Sequence, residues 1–245
     1  IAAVLDERSM RLPVGSGPVP WTTRPLVYTV RENLHRCGAP FGQYLLDDVL
    51  AGRTKAKLNV FLAAWQLSPE ERDALRRAAA GSATIWCWAP GYFDASGPSP
   101  EAVSYLTGFE VKVMPAATAV SVTATPDGLA IGLPPTYGQP KPLAPLLSPQ
   151  PRQGDSLLAT YKDGSPAVVL RNGPKGPSVF SGPTELPTPL IRHAARLAGV
   201  HLYCHTDANI FANGPLLAVH AAADGPATIR LDRERTTRNL VEGTQ

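Results

Sequence analysis

The 245-residue chain has no apolar run approaching a membrane span, and no signal-peptide pattern is visible in it. It has little net charge: 23 Lys and Arg against 20 Asp and Glu leave +3, too small an excess to suggest nucleic acid as a partner. Arginines cluster at Arg72, Arg76 and Arg77 and at Arg230, Arg233 and Arg235, but Asp and Glu are interleaved with them, as on a solvated face. There are three cysteines, Cys37, Cys87 and Cys204, an odd number without metal-type spacing. Cys87 sits in an apolar run and Cys37 at a predicted helix end, so free buried thiols are expected, with a reducing compartment, the cytoplasm, favoured. No two histidines share metal-binding spacing on a helix; His201 and His205 are four apart, but in a predicted strand and the turn after it. Pro18 and Pro20 break the loop holding Gly15, Ser16 and Gly17, so no phosphate loop runs straight from the first strand into a helix. No metal, flavin or other cofactor is expected.

The rest of the sequence is organised around residues 57–77, KLNVFLAAWQLSPEERDALRR. Residues 58–63 read as a buried parallel strand and residues 64–67, Ala-Trp-Gln-Leu, as an elbow. A helix then opens with Ser68 as N-cap, Pro69 as its first residue and Glu71 closing a capping box. In open α/β sheets, ligands and nucleophiles sit just past a strand's carboxyl end. This elbow has neither Cys nor Ser.

Residues 1–5 read as the first strand, ending in Asp6-Glu7, and residues 8–21 as a loop. A helix is expected over 25–37 with Gly38 as its C-cap, then a strand over 43–47 ending at Asp47-Asp48, and a strand over 84–88. Ser99-Pro100-Glu101 caps a helix running to Gly108. The order β-α-β-β-α-β-α argues for a parallel sheet with helices on both faces. Residues 116–151, rich in proline, read as an insertion or small antiparallel excursion that bears no helix. Strands over 157–161, 167–170 and 178–180, a helix opening at Thr188-Pro189 and ending at Gly199, and a strand over 200–204 complete a domain of residues 1–204. Residues 205–245 change to period 2 and read as part of an antiparallel β module. The chain opens inside its first strand without Met, which reads as a piece of something longer.

Four segments carry a resemblance: RENLHRCGAPFGQYLLDD, the organising stretch itself, IWCWAPGY, and PLIRHAARLAGVHLY followed by ANGPLLAVH. Together they resemble the β-galactosidase trimerisation domain of multidomain glycoside hydrolases, a flavodoxin-like α/β fold similar to class I glutamine amidotransferases. The trailing segment looks like the start of the small C-terminal β-domain of the same enzymes. The resemblance covers most of the chain outside residues 116–151. It implies an accessory role: the two catalytic acids of those enzymes lie in a (β/α)₈ barrel, which is absent here, while this domain contributes to oligomerisation and can wall a neighbouring subunit's active site. The implied partners are that barrel and further copies of the chain, meeting near Trp65 and the 68–80 helix.

An amidotransferase-type site would need a nucleophilic Cys at the elbow with a His and an acid later in the chain. The elbow offers Trp65 and Gln66; near the last helix Glu185 is a plausible acid, but the His is missing, and His193 reads as a helix-surface residue. Asp47 and Asp48 are adjacent, so their side chains diverge and suit a turn or cap better than glycoside cleavage. Asp6 and Glu7 sit on the edge favoured for ligands. Trp65, Trp86, Trp88 and Tyr92 fall at or just past the carboxyl ends of the third and fourth strands, with Trp86 and Trp88 on one side and Cys87 on the other. Such rings suit the apolar face of a sugar or a subunit interface, with core packing the alternative for Trp86. No complete catalytic constellation is present. The alternatives to an accessory domain are a stand-alone hydrolase and a carbohydrate-binding protein using the same edge.

Overall fold

The structure, a computed structural model, describes residues 1–12, 22–115 and 119–241; the loop with Gly15, Ser16 and Gly17 lies outside them. The first half of the chain comprises β1 (Ala2–Leu5), α1 (Glu7–Arg11), a π-helical turn (Arg24–Thr29) leading into α2 (Val30–His35), β2 (Gly42–Leu45), α3 (Leu46–Leu50), β3 (Leu58–Ala63), α4 (Pro69–Ala79) and β4 (Ala83–Cys87). A ribbon of β5 (Phe93–Asp94) and β6 (Gly97–Pro98) precedes α5 (Pro100–Thr107). Then come β7 (Val111–Met114), β8 (Val120–Ala124), α6 (Pro126–Ala130), β9 (Thr136–Gln139), β10 (Leu146–Pro149), β11 (Ser156–Tyr161), β12 (Pro166–Gly173) and β13 (Gly176–Ser181). The last elements are α7 (Thr188–Leu197), β14 (Ala208–Asn213) and β15 (Leu216–Ala221). Among the described residues no helix is long and apolar enough to cross a membrane.

The central sheet has the order β2-β1-β3-β4-β13-β12-β11-β8-β9. Its first five strands are parallel, in the flavodoxin-like sequence of neighbours, and from β13 outwards every pairing is antiparallel. Residue patterns explain the division. Every residue of β3 and β4 is buried, because helices cover both faces of the parallel half. In β8, buried and more exposed residues alternate, as in a sheet covered on one side. Right-handed crossovers place the helices: the chain moves one way from β1 through α2 to β2 and the other way from β3 through α4 to β4, so α2 and α4 lie on opposite faces. α3, α4 and α5 pack side by side, and α2 pairs with α7.

Ser68 caps α4 as the sequence predicts. Its Oγ accepts from the Glu71 amide at 3.2 Å, and Glu71 accepts from the Ser68 amide at 2.9 Å. The expected strands at 58–63, 157–161, 167–170 and 178–180 are found within three residues at each end.

Several expectations are corrected. Glu7, expected at the end of the first strand, and residues 8–11, expected as loop, form α1, because the Asp6 side chain accepts from the Ser9 amide and caps the turn. Asp47 and Asp48 lie inside α3 rather than at a strand end, and Asp48 caps that helix through the Leu45 amide. Residues 119–151 bear a helix, α6, capped by Thr125, which was not expected; their strands pair antiparallel, β8 and β9 extending the main sheet and β10 pairing with β7 in a separate ladder. Residues 200–204 form no strand. The amides of Tyr203 and Cys204 both donate to the Gly38 carbonyl, and Cys204 has a lone bridge to Ile229. Gly38 itself has φ +97°, and a Cβ there would lie 2.0 Å from the Cys204 carbonyl oxygen, so only glycine permits this crossing.

On the antiparallel half, Arg171 of β12 grips Asp155 with two hydrogen bonds of 2.9 and 2.7 Å while its guanidinium lies 4.4 Å over the Phe109 ring. Hydrogen bonding from Arg171 holds the Asp155 carboxyl below the usual carboxylate range. A carboxyl depressed by folding stabilises the fold above its unfolded pKa, about 3.9, and that stabilisation is lost as pH falls through the lower folded value. Asp155→Asn is therefore expected to be less stable than the parent at pH 7 and to converge with it below about pH 3. Melting temperatures across that range check this; a constant gap would rule it out.

Candidate functional site at the carboxyl edge of the sheet

The connections leaving the parallel neighbours β1 and β3 run to opposite sides of the sheet, to β2 and to β4, and ligands of open α/β sheets bind beyond the carboxyl ends at such a point. Asp6 and the elbow after β3 meet there, tied by the Asp6 amide to the Ala63 carbonyl at 2.6 Å. The Ser9 hydroxyl accepts from the amides of Trp65 at 2.8 Å and Gln66 at 2.9 Å, and donates to Asp6 Oδ2 at 2.6 Å. Asp6 also accepts from the Ser9 amide at 2.9 Å, and Arg8 Nε approaches its other oxygen at 3.3 Å. Ser9 is completely buried and Asp6 is 5% exposed.

Two amides converging at an elbow could stabilise the oxygen of a tetrahedral intermediate. In this chain the Ser9 oxygen already occupies them, and the buried Asp6 carboxylate accepts from the Ser9 hydroxyl and orients it. Glu7, on the first turn of α1, and Gln66, beside Phe93 of β5, are exposed. Sequence reasoning missed Ser9. The available signal was the spacing Asp6-x-x-Ser9, a cap and its third helical residue.

The aromatic residues close the rest of the edge. Trp65 and Trp88 are fully buried, Trp86 is 2% exposed and Tyr92 7%. Trp86 stacks on Phe61 of the adjacent strand at 4.3 Å. Trp65 and Trp88 meet edge to face at 4.7 Å, and Phe93 lies against Trp88 and Tyr92 at 6.5 and 4.9 Å. Trp88 has φ +62°, rare for a residue with a side chain. Its amide donates to the Ser181 carbonyl and its Nε1 to the Pro145 carbonyl, both at 2.7 Å. The turn ends the strand alternation, so Trp88 leaves the side it would share with Trp86. Trp65, Trp86 and Trp88 thus pack against neighbouring rings, and for Trp86 this is the core packing that its place in the strand allowed.

Glu185 lies past the end of β13, where its Oε2 accepts from the Gly138 amide on edge strand β9 at 2.9 Å. Thr184 beside it donates to Gln139 Oε1 at 2.6 Å. Burial pushes the Glu185 carboxyl up. Within α7, His193 Nδ1 contacts Arg196 rather than Glu185. Burial also raises the Cys87 thiol far above its ordinary value, and all three cysteines are free and buried. Among the described residues no three His, Cys, Asp or Glu side chains are grouped to hold a metal ion. The edge thus brings Asp6, Ser9, Trp65, Trp88 and Tyr92 together as packing.

No protein-family model matches the sequence, and no curated protein matches it. Among solved structures the chain is similar to the β-galactosidase from Rahnella sp. R3, with TM-score 0.60 and 16% identity over 85% of this chain and 33% of that one. The polyextremophilic β-galactosidase from the Antarctic haloarchaeon Halorubrum lacusprofundi gives TM-score 0.60 and 18% identity over 85% of this chain and 32% of its own. A GH42 β-galactosidase from G. stearothermophilus gives 0.52 and 13% over 90% and 33%. The chain spans about a third of the length of each. At these identities the likeness is one of fold: this chain has the flavodoxin-like α/β architecture of a segment of β-galactosidase chains.

Proposed function

We propose that this chain is a non-catalytic accessory and assembly domain of a glycoside hydrolase of the β-galactosidase type. Its partners are a catalytic barrel and further copies of the chain, and residues 205–245 begin a second, β-rich unit. The observation that carries the reading is the Ser9 hydroxyl bonded to both elbow amides, which leaves the nucleophile position of the fold without a free donor pair. The likeness to a third of several β-galactosidase chains supports the choice of enzyme class. The exposed side chains of Glu7 and Gln66, and the half-buried Glu185, are the proposed points of contact with the barrel or its substrate.

The purified chain is expected to leave a chromogenic β-galactoside intact and to sediment as an oligomer at high concentration. Turnover abolished by Glu7→Gln or Glu185→Gln would overturn the accessory reading, and a strict monomer would overturn the assembly role. A carbohydrate-binding module is not favoured, because the rings that would stack on sugar are buried. Galactose is accordingly expected to leave the tryptophan fluorescence unchanged.

A further inference from the structure

Three chain segments meet beside the carboxyl-terminal half of α7, and the cations they bring together lie away from the sheet's carboxyl edge. Arg192 and Arg196 are four residues apart on one face of α7. Arg192 Nη2 donates to the Arg36 carbonyl at 2.7 Å and reaches the Thr206 carbonyl at 3.5 Å, while its Nε donates to Cys37 at 3.1 Å. These bonds bring the end of α2 and residue 206 against α7. The Arg230 amide donates to the Tyr203 carbonyl at 2.8 Å, and Ile229 bridges Cys204, which fixes Arg230 beside the same segment. His205 stands on that segment, exposed, as are Arg196 and Arg230.

The charge in this cluster is unbalanced. Arg36 is matched by Asp207 in a two-pronged ion pair. Arg192 spends its bonds on neutral carbonyls, Arg196 contacts the His193 ring, and among the described residues none of Arg192, Arg196 and Arg230 has an acid partner. The imidazole of His205 registers this imbalance: burial, and then the positive fields of Arg230, Arg192 and Arg196, hold its pKa below the ordinary value. Arg196 likewise adds to burial in lowering His193, and it adds with Arg36 to burial in lowering Arg192.

We propose that this surface binds a tetrahedral oxyanion of the sulfate or phosphate class, held by Arg196, Arg230 and the Nη1 of Arg192 around His205. Guanidinium groups suit such an anion because their planar forks donate in pairs to its oxygens. The attachment of Arg192 and Arg230 to the segment that carries exposed His205, with Arg196 one turn along α7, favours a compact anion over an extended acidic chain. Two sources share this chemistry, the free inorganic ion and a phosphate ester on a sugar.

The test is histidine NMR of the full chain, with His205 assigned through His205→Gln. Sulfate stays a dianion across the imidazole titration, so it is the first probe, with ionic strength held by sodium chloride. Sulfate is expected to raise the His205 pKa saturably. Arg196→Gln and Arg230→Gln should each raise that pKa without sulfate and weaken sulfate binding about tenfold, the loss of one charge-assisted contact. Circular dichroism checks that both surface variants fold. Inorganic phosphate and glucose 6-phosphate form the second arm: tighter binding of the ester assigns the site to a phosphorylated sugar, and equal binding to the free ion. A shift that chloride reproduces, or saturation that neither substitution weakens, would overturn the proposal.

Discussion

Ser9→Ala is expected to destabilise the fold by roughly 2–6 kcal/mol, because it strips the acceptor from the buried Trp65 amide and the part-buried Gln66 amide at about 1–3 kcal/mol each. The Trp65 and Gln66 amides would be left facing a methyl group, and Asp6 would lose one of its donors. Few single substitutions reach this size without opening a large cavity. Urea denaturation gives the magnitude, and amide hydrogen exchange gives the place: Trp65 and Gln66 should exchange faster than the centre of β3. Glu7→Ala, one turn away but exposed, is the control and should stay within about 0.5 kcal/mol of the parent. Equal, small losses from both substitutions would mean that the Ser9 hydroxyl is dispensable to the elbow.

Trp88→Ala should cost about 3–5 kcal/mol, the usual range for truncating a large buried aromatic. The ring is fully buried, meets Trp65 at 4.7 Å and satisfies the Pro145 carbonyl through its Nε1. The backbone supplies a sharper test. At φ +62° an alanine retains the strain of the left-handed conformation, on the order of 1–3 kcal/mol, whereas glycine removes it. Trp88→Gly should therefore be more stable than Trp88→Ala by about 1 kcal/mol, reversing the order expected in a strand interior, where glycine is the weaker residue. Thermal unfolding of the two variants decides this. If alanine is the more stable, the strain is not being relieved.

The parallel half of the sheet was readable because its signals are local. The all-buried runs of β3 and β4, and Ser68 with Pro69 and Glu71, need no distant partner to be recognised. The same code opens α6 at Thr125-Pro126-Asp127, but the proline-rich surroundings masked it. What could not be read depends on contacts between remote residues. Ser9 meets the elbow across 56 residues, and the turn at Trp88 is held by the carbonyls of Ser181 and Pro145. The places of the aromatic residues along the chain are legible, but alternation within a strand does not foresee the residue that ends it, as at Trp88. Residues 200–204 mislead for a related reason: an apolar, strand-like composition is overridden when Gly38 takes up the amides that would have formed a ladder.

The bond from Gly138 to Glu185 has a consequence for solubility. β9 is the last strand of a nine-stranded sheet, the place where a stray extended peptide could add itself and start a ribbon of stacked molecules. The donor that such a newcomer would need at Gly138 is already committed to a carboxylate from the same chain, so intermolecular pairing along that rim would first have to break an internal bond.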